Sequence, residues 1–452
     1  MPDAERATWQ ARAGCGLAIG ALFAFGGVYL PAAITLAAVA ALSAAVVRPA
    51  LARGDVRILD AALVACLICA ALQIVPLPAS IVGALSPASL RLWGELSLGG
   101  PPSRAALSIL PSGSVHALLV LATAVTVFWM TRETFRVAGV RAAARAVAFA
   151  GFVVSLIAVA QSVTARGLMY WTWRPTFEGP EPFGPFVNRN HFATWVALAI
   201  PLCLGYLAAR SRGRDPRDAM RPLGARLARA LDGRTLFLLA AAVTMSAALM
   251  LTLSRSGIGA LAVALAWAWW LTRERHGRGK RWGLATAVLL AGVAVLWNAP
   301  TLISRFGRVS VGYADRIMIW RETLPIVRDF WATGSGLGTF ESSMAFYQQS
   351  DRSVFFNQAH SEYLQLASEG GLLVGLPVAA AAVAFWRLAA ARLRADATWM
   401  YWLRAGAATG LVAAALQSIW ENGLRIPANA LLAAILAAIV VHEPHSNGRP
   451  HP

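Results

Sequence analysis

Apolar residues recur along the whole chain in runs close to the ~20 residues that an α-helix needs to cross a bilayer. Polar segments of unequal length, many containing Pro or Gly, separate these runs. About twelve spans are predicted, at residues 13–30, 32–47, 59–76, 115–130, 144–163, 190–209, 235–253, 257–272, 282–298, 368–390, 401–420 and 426–441. The pattern predicts an all-α, polytopic transmembrane helical bundle that forms one membrane domain over residues 1–452.

The longest polar interruption, residues 299–362, lies between two late spans. Within it, apolar residues at helical spacing predict an amphipathic helix over Arg316–Phe330. The Gly-x-Gly-x-Gly pattern at 334–338 then indicates a hinge or a tight packing turn, and residues 350–358 have the composition of a loop. The interruption is too large for a turn and too small for a typical domain. We therefore expect a largely helical insertion that carries part of the functional site.

The composition supports a membrane protein and predicts its orientation. Hydrophobic residues make up 58% of the chain and charged residues 14%, which is too little polar surface for a soluble protein of this size. The net charge is +18, but most Lys and Arg residues fall in alternate loops, as the positive-inside rule requires. The charge therefore mainly sets topology, with both termini cytoplasmic, and nucleic-acid binding is the weaker interpretation.

Three arginines at the predicted outer ends of spans differ from those that set the topology. Arg189 precedes one span, Arg255 lies in a very tight turn between two spans, and Arg316 opens the amphipathic helix. A guanidinium group is permanently charged and planar, which suits the binding of a phosphate or diphosphate. The alternative is that each arginine extends to lipid headgroups, as many interfacial arginines do. Both interpretations remain open at this point.

His360 directly precedes a span and is a candidate general base. An imidazole can accept a proton from a sugar hydroxyl near neutral pH, although a single interfacial histidine is more often structural. Glu362 lies two positions away and so does not share a helical face with His360. His116 and His191 are weaker candidates for the same role.

Two kinds of chemistry find no support in the sequence. The outer carboxylates are scattered without metal-ligand spacing, so no metal and no other cofactor is expected. The glycines at 334–338 do not fit a dinucleotide loop, because the third glycine is misplaced and no strand–helix unit surrounds them.

Four motifs, taken in order, resemble the bacterial O-antigen ligase and polymerase superfamily, mainly over residues 180–380. The motifs are Asn188-Arg-Asn-His-Phe-Ala193, Ser254-Arg-Ser-Gly257, Arg316-x-x-x-Trp320 leading to Gly334-x-Gly-x-Gly-x-Phe340, and His360-Ser-Glu-Tyr-Leu-Gln365 followed by Glu369-Gly-Gly371. No single motif is specific to this superfamily. The order of the four motifs and their placement at predicted span ends are specific when taken together.

The resemblance implies a GT-C type glycosyltransferase at the periplasmic face of the bacterial inner membrane. Such enzymes transfer a glycan from undecaprenyl diphosphate to an acceptor without a metal. By resemblance, Arg189 and Arg255 hold the lipid diphosphate, Arg316 is a recurrent arginine of the long periplasmic segment, and His360 activates the acceptor hydroxyl. The flanking polar residues Asn188, Asn190, Glu362 and Tyr363 are expected to support the site.

The acceptor and the reaction type stay open within this resemblance. Ligases attach a glycan to lipid A-core, whereas polymerases extend another lipid-linked repeat, and Asn188-Arg-Asn-His is typical of an exopolysaccharide-type branch.

Trp171, Trp173, Phe340 and Tyr347 are candidates for stacking on sugar rings, or are ordinary interfacial aromatic residues. A transporter of lipid-linked glycans and a non-catalytic scaffold are the alternatives from other classes; a transporter should show repeat symmetry and ionisable residues near mid-bilayer.

Overall fold

The computed structural model describes residues 16–52, 54–100, 102–165, 167–174, 181–212, 232–273, 309–353 and 355–443, and this part of the chain is almost entirely helical. We number its helices α1 (16–23), α2 (Leu30–Val47), α3 (Arg57–Leu72), α4 (Ala79–Leu85), α5 (Pro87–Leu96), α6 (Pro111–Ala138), α7 (Arg141–Thr164), α8 (Arg189–Arg212), α9 (Gly233–Leu251), α10 (Arg255–Thr272), α11 (Val309–Asp329), α12 (Phe340–Tyr347), α13 (Glu362–Ala395), α14 (Met400–Gln417) and α15 (Pro427–Val441). Two-residue strands β1 (Leu77–Pro78) and β2 (Arg104–Ala105) pair antiparallel, with Leu77 opposite Ala105. The all-α, polytopic architecture is confirmed.

Six of the described helices, α2, α6, α7, α8, α9 and α13, are long and apolar enough to cross a bilayer. The described helices at the other predicted spans are shorter or less apolar. The first predicted span is too long, because α1 ends at residue 23 and Gly26 and Gly27 adopt positive φ angles before α2 begins. The predicted span at 282–298 lies outside the described residues.

Helix α8 is the centre of the bundle, and almost every residue along it is buried. It packs against α7, α9, α10, α14 and α15. Helices α8 and α14 approach each other closely where glycines of one helix face the backbone of the other. A Cβ on Gly205 of α8 would lie 2.5 Å from the carbonyl oxygen of Trp402 in α14. Gly406 and Gly410 similarly face the carbonyls of Pro201 and Leu198. Such close backbone approach is typical of helix packing in membranes.

Replacing Gly406 by alanine should therefore destabilise the bundle, although alanine is the better helix former. The new methyl group would collide with the Pro201 carbonyl of α8, and overpacking of this kind costs about 1–3 kcal/mol. Thermal unfolding in detergent measures the effect. Gly259→Ala is the matched control, because a Cβ on Gly259 of α10 meets nothing within 4 Å. An equal or higher melting temperature for Gly406→Ala than for Gly259→Ala would contradict this packing.

Contacts join loops that are distant in sequence into two groups, which we name the inner face and the outer face after the sides of the membrane that the sequence predicts for them. The inner face contains the ion pairs Asp60–Arg132 at 2.7 Å and Asp55–Arg392 at 2.6 Å. The outer face comprises the described parts of the segments that the sequence predicts on that side: 24–29, 73–110, 165–188, 252–254, 309–361 and 418–426. Contacts join these outer segments, for example between the rings of Phe25 and Tyr170, whose centroids are 5.4 Å apart.

The predicted amphipathic helix of the long insertion is present as α11. Its apolar side, with Ile319 and Ile326, packs with Phe330, Phe340 and Met344 in a small core on the outer face. The residues between α12 and α13 that the structure describes form loop, as predicted.

Helix α13 is broken near its outer end, which the sequence pattern does not predict. Gly371 has φ 54° and ψ −156°, so the chain leaves the helical path there. The turn after α11 fills the break: the amides of Leu372 and Leu373 donate to the carbonyls of Trp331 and Ala332 at 2.8 and 2.9 Å. The turn also contacts α3, whose C-cap residue Gln73 donates to the Thr333 carbonyl at 2.7 Å. The glycines at 334–338 thus form a tight packing turn.

Candidate functional site

Glu421 is a buried carboxylate on the outer face, just after α14, and three of the sequence-predicted residues meet at it. Only 1% of its side chain is exposed. Its Oε1 accepts hydrogen bonds from the Asn190 amide at 2.7 Å and from the Arg316 guanidinium. The Nδ1 atom of His360 lies 3.7 Å from Oε2. One carboxylate therefore gathers side chains from α8, α11 and the loop before α13.

His360 occupies a constrained position in that loop. Its φ angle is 49°, in the left-handed region that costs energy for a residue with a side chain. Its neighbour Ala359 is held on both sides, because its amide donates to Gln365 Oε1 at 3.1 Å and its carbonyl accepts from the Trp320 indole at 2.9 Å. The Ser361 hydroxyl then accepts from the Leu364 amide and caps α13. These contacts fix the backbone that carries the imidazole.

The start of α8 supplies Asn188, Arg189 and Asn190. The buried Asn188 accepts the Asn190 amide at 2.8 Å through its side-chain oxygen, which stabilises the first turn of the helix. Arg189 pairs with Glu181 at 2.7 Å. Because 73% of the Glu181 side chain is exposed, this pair contributes little to stability and leaves Arg189 able to exchange partners.

Arg255 begins the neighbouring helix α10 and is exposed. The Ser254 hydroxyl caps this helix by accepting the Gly257 amide at 3.3 Å. A Cβ on Gly257 would lie 2.8 Å from the Cβ of Ala193, so α10 and α8 start side by side. Within the residues that the structure describes, the Arg255 side chain makes no hydrogen bond or ion pair.

Glu362 does not interact with His360 and belongs to a second group of charges, in which Arg425 bridges two carboxylates. Arg425 contacts Glu362 at 2.8 Å and the fully buried Glu369 at 2.5 Å. Burial lowers the pKa of Arg425, but the two carboxylates outweigh burial, so its pKa is raised and the guanidinium stays protonated. Glu369 also accepts the amides of Gly338 and Phe340 at 3.0 Å each. This group holds the glycine turn against α13.

The predicted aromatic candidates do not form one surface. Phe340 is only 1% exposed, within the small outer core, so its ring is not free to stack on a sugar. Tyr347 donates to Asp329 at 2.8 Å, and Trp173 packs against Phe25 and Tyr29. Trp171 is exposed.

An open groove of about 700 Å³ lies between α11 and the first turns of α13, and its wall includes Ser361, the residue after His360. Its wall is mostly apolar and is formed by Ile317, Trp320, Arg321, Leu324, Ser361, Tyr363, Leu364, Ala367 and Ile419. Tyr363, predicted to support the site, is half-exposed in this wall and donates to the Ala415 carbonyl at 2.8 Å. The groove is therefore a mostly apolar surface that reaches the loop carrying His360 at Ser361.

Sequence reasoning missed Glu421, the residue on which the site converges. The available signal was an acidic residue between the last two spans, in a region otherwise poor in carboxylates. A carboxylate in a short loop on the predicted outer side, next to the other polar candidates, could have been added to them, because functional residues are concentrated on such loops. Within the described part of the chain, no group of three or more His, Cys, Asp or Glu side chains is arranged to hold a metal ion.

The described structure is thus that of a multi-pass membrane protein with a polar, cation-rich site at one end of its helical bundle. A family model described as O-antigen ligase matches residues 240–379, which include Arg255, Arg316 and His360. No curated protein matches the chain. The family match confirms the resemblance to the O-antigen ligase and polymerase superfamily and supports a ligase- or polymerase-type function.

Proposed function

We propose that this protein is a membrane glycosyltransferase that transfers a glycan from undecaprenyl diphosphate to an acceptor hydroxyl at the periplasmic face of the inner membrane. The acceptor is lipid A-core or another glycan. The observation that carries the proposal is the convergence of Arg316, Asn190 and His360 on the buried Glu421, next to an open apolar groove.

The charges of the outer face suit the departure of a lipid diphosphate. Arg255 is exposed at a helix start, and among the described residues the Arg189 side chain pairs with the exposed Glu181. Guanidinium groups and a helix N-terminus both stabilise negative charge that develops on a leaving group. In the proposed reaction these cations, with Arg316, supply the positive charge, and no metal takes part.

His360 serves as the general base in this proposal. The imidazole takes the proton of the acceptor hydroxyl while the oxygen attacks the anomeric carbon and the diphosphate leaves from the opposite side. A single displacement of this kind inverts the configuration at the anomeric carbon. The apolar groove between α11 and α13 suits the prenyl chain, because its wall is mostly apolar and ends beside the His360 loop.

The purified protein, reconstituted in liposomes with a glycan on undecaprenyl diphosphate, should form a new glycosidic bond to a suitable acceptor. Lipid A-core and a second lipid-linked glycan are offered in parallel, and the products are separated by mass. Transfer should persist in EDTA, because the proposed chemistry uses arginine cations.

Each outcome of this experiment distinguishes between function classes. Transfer to lipid A-core identifies a ligase, and chain extension identifies a polymerase. Movement of the intact lipid-linked glycan between leaflets, without a new bond, would replace the proposal with a transporter. Neither transfer nor movement with either acceptor would favour a scaffold and reject the proposal.

A further inference from the structure

Simple packing does not explain why the carboxylate of Glu421 is buried. Its side chain is 1% exposed, and a buried carboxylate is costly unless charged or hydrogen-bonding partners surround it. It follows α14 and precedes the short 3-10 helix Gly423–Arg425, so it projects from the connection between the last two helices. Its partners come from other elements, and all of them were predicted to take part in the site.

The two oxygens of Glu421 have different environments. Oε1 accepts from Arg316 and Asn190. Oε2 faces His360 Nδ1 at 3.7 Å, and both of these buried atoms lack a hydrogen-bond partner within the described residues. A carboxylate can only accept from an imidazole that carries a proton on the facing nitrogen. A small rotation of His360 would bring this pair within hydrogen-bond distance.

We infer that Glu421 is the positioning residue for His360, an inference that rests on the proposed function. Glu421 favours the tautomer with hydrogen on Nδ1, so that Nε2 is free to accept a proton. The acceptor hydroxyl then gives its proton to Nε2 and forms a bond to the anomeric carbon. The bond from that carbon to the diphosphate oxygen breaks, and the electron pair leaves with the diphosphate. The carboxylate stabilises the imidazolium that results.

Two further groups face this pair and affect its protonation. Arg316 approaches from α11 and, as a cation, disfavours the imidazolium. His191 approaches from α8 and interacts electrostatically with both Glu421 and His360. Glu421 is the anion beside Arg316, His191 and His360. Its removal should therefore make the imidazolium form of His360 less favourable.

Glu421→Gln tests this role, because it removes the charge and keeps the size. We expect kcat for glycan transfer to fall about 100-fold, with a smaller change in KM. At low pH the base is protonated and inactive, which gives the profile of rate against pH an acidic limb. In Glu421→Gln this limb should move to lower pH. Glu421→Asp should restore part of kcat, because it keeps the carboxylate on a shorter side chain.

Glu341→Gln is the matched control, since Glu341 is an exposed carboxylate in the first turn of α12 on the same face. Its pH profile should equal that of the wild type. If Glu421→Gln does not fold, the pH profile of Glu421→Asp decides, with a smaller shift expected in the same direction.

Several results would overturn the inference. One is an unchanged acidic limb in a folded Glu421 variant. Another is a raised KM with unchanged kcat, which would indicate that Glu421 only holds Arg316. These failures differ from a failure of the proposed function, in which the wild type transfers no glycan or His360→Asn retains full activity.

Discussion

Replacement of His360 by asparagine should lower glycan transfer about 10²- to 10⁴-fold, the usual contribution of a general base. Asparagine has no group that can take a proton from a hydroxyl near neutral pH. It tolerates the left-handed backbone conformation that His360 adopts, at φ 49°. The loop before α13 should therefore keep its fold while the chemistry is lost. Transfer from an undecaprenyl-diphosphate glycan by the reconstituted variant measures this loss.

His116→Asn provides the control for the His360 variant. His116 lies near the outer end of α6 and is partly buried, like His360. The same substitution there should leave the rate within about twofold of the wild type, because histidine and asparagine have similar helix propensities. If His360→Asn inserts, unfolds at the wild-type temperature and transfers glycan at the wild-type rate, His360 is not the base.

Much of the architecture could be predicted from hydropathy and charge. The long helices α2, α6, α7, α8, α9 and α13 could be predicted as spans, because each contains an apolar stretch long enough to cross a bilayer. Helix α11 could be predicted as well, since its apolar residues, including Ile319 and Ile326, recur at helical spacing and pack in the small outer core.

The break in α13 could not be predicted, because it depends on contacts distant in sequence. Gly370 and Gly371 stand before an uninterrupted apolar run, and glycines are common in membrane helices. The break exists because Trp331 and Ala332 accept the amides of Leu372 and Leu373 in place of the lost helical hydrogen bonds. Hydropathy carries no information on this pairing.

The candidate site was predictable in part, for a similar reason. Arg316, Asn190 and His360 could be selected as polar residues at the outer ends of helices, where chemistry is possible. Their common partner Glu421 could not be predicted, since it is separated from Asn190 by 231 positions and from Arg316 by 105 positions. Phe340 fails as a sugar platform for the opposite reason: it is part of the outer core, and a sequence motif does not reveal burial.

Replacement of Arg255 by alanine should reduce glycan transfer about 10²- to 10³-fold, the usual cost of losing one donor to a developing anion. Arg255 is the exposed first residue of α10, where the helix N-terminus adds a favourable field for an anion. Its side chain pairs with no other described residue, so none of these residues competes with a diphosphate for it. Arg255→Lys should recover only part of the rate, because lysine keeps the charge but cannot make two parallel hydrogen bonds.

Arg273→Ala is the matched control for the Arg255 variants, because Arg273 lies at the opposite end of the same helix and stacks over Trp270 at 5.0 Å. It should leave transfer unchanged, since a diphosphate bound at the outer face is distant from it by the full length of α10. The deficit of Arg255→Ala should also appear as weaker binding of undecaprenyl diphosphate alone, measured by displacement of a fluorescent analogue. Equal transfer by Arg255→Ala and Arg273→Ala would remove Arg255 from the diphosphate site.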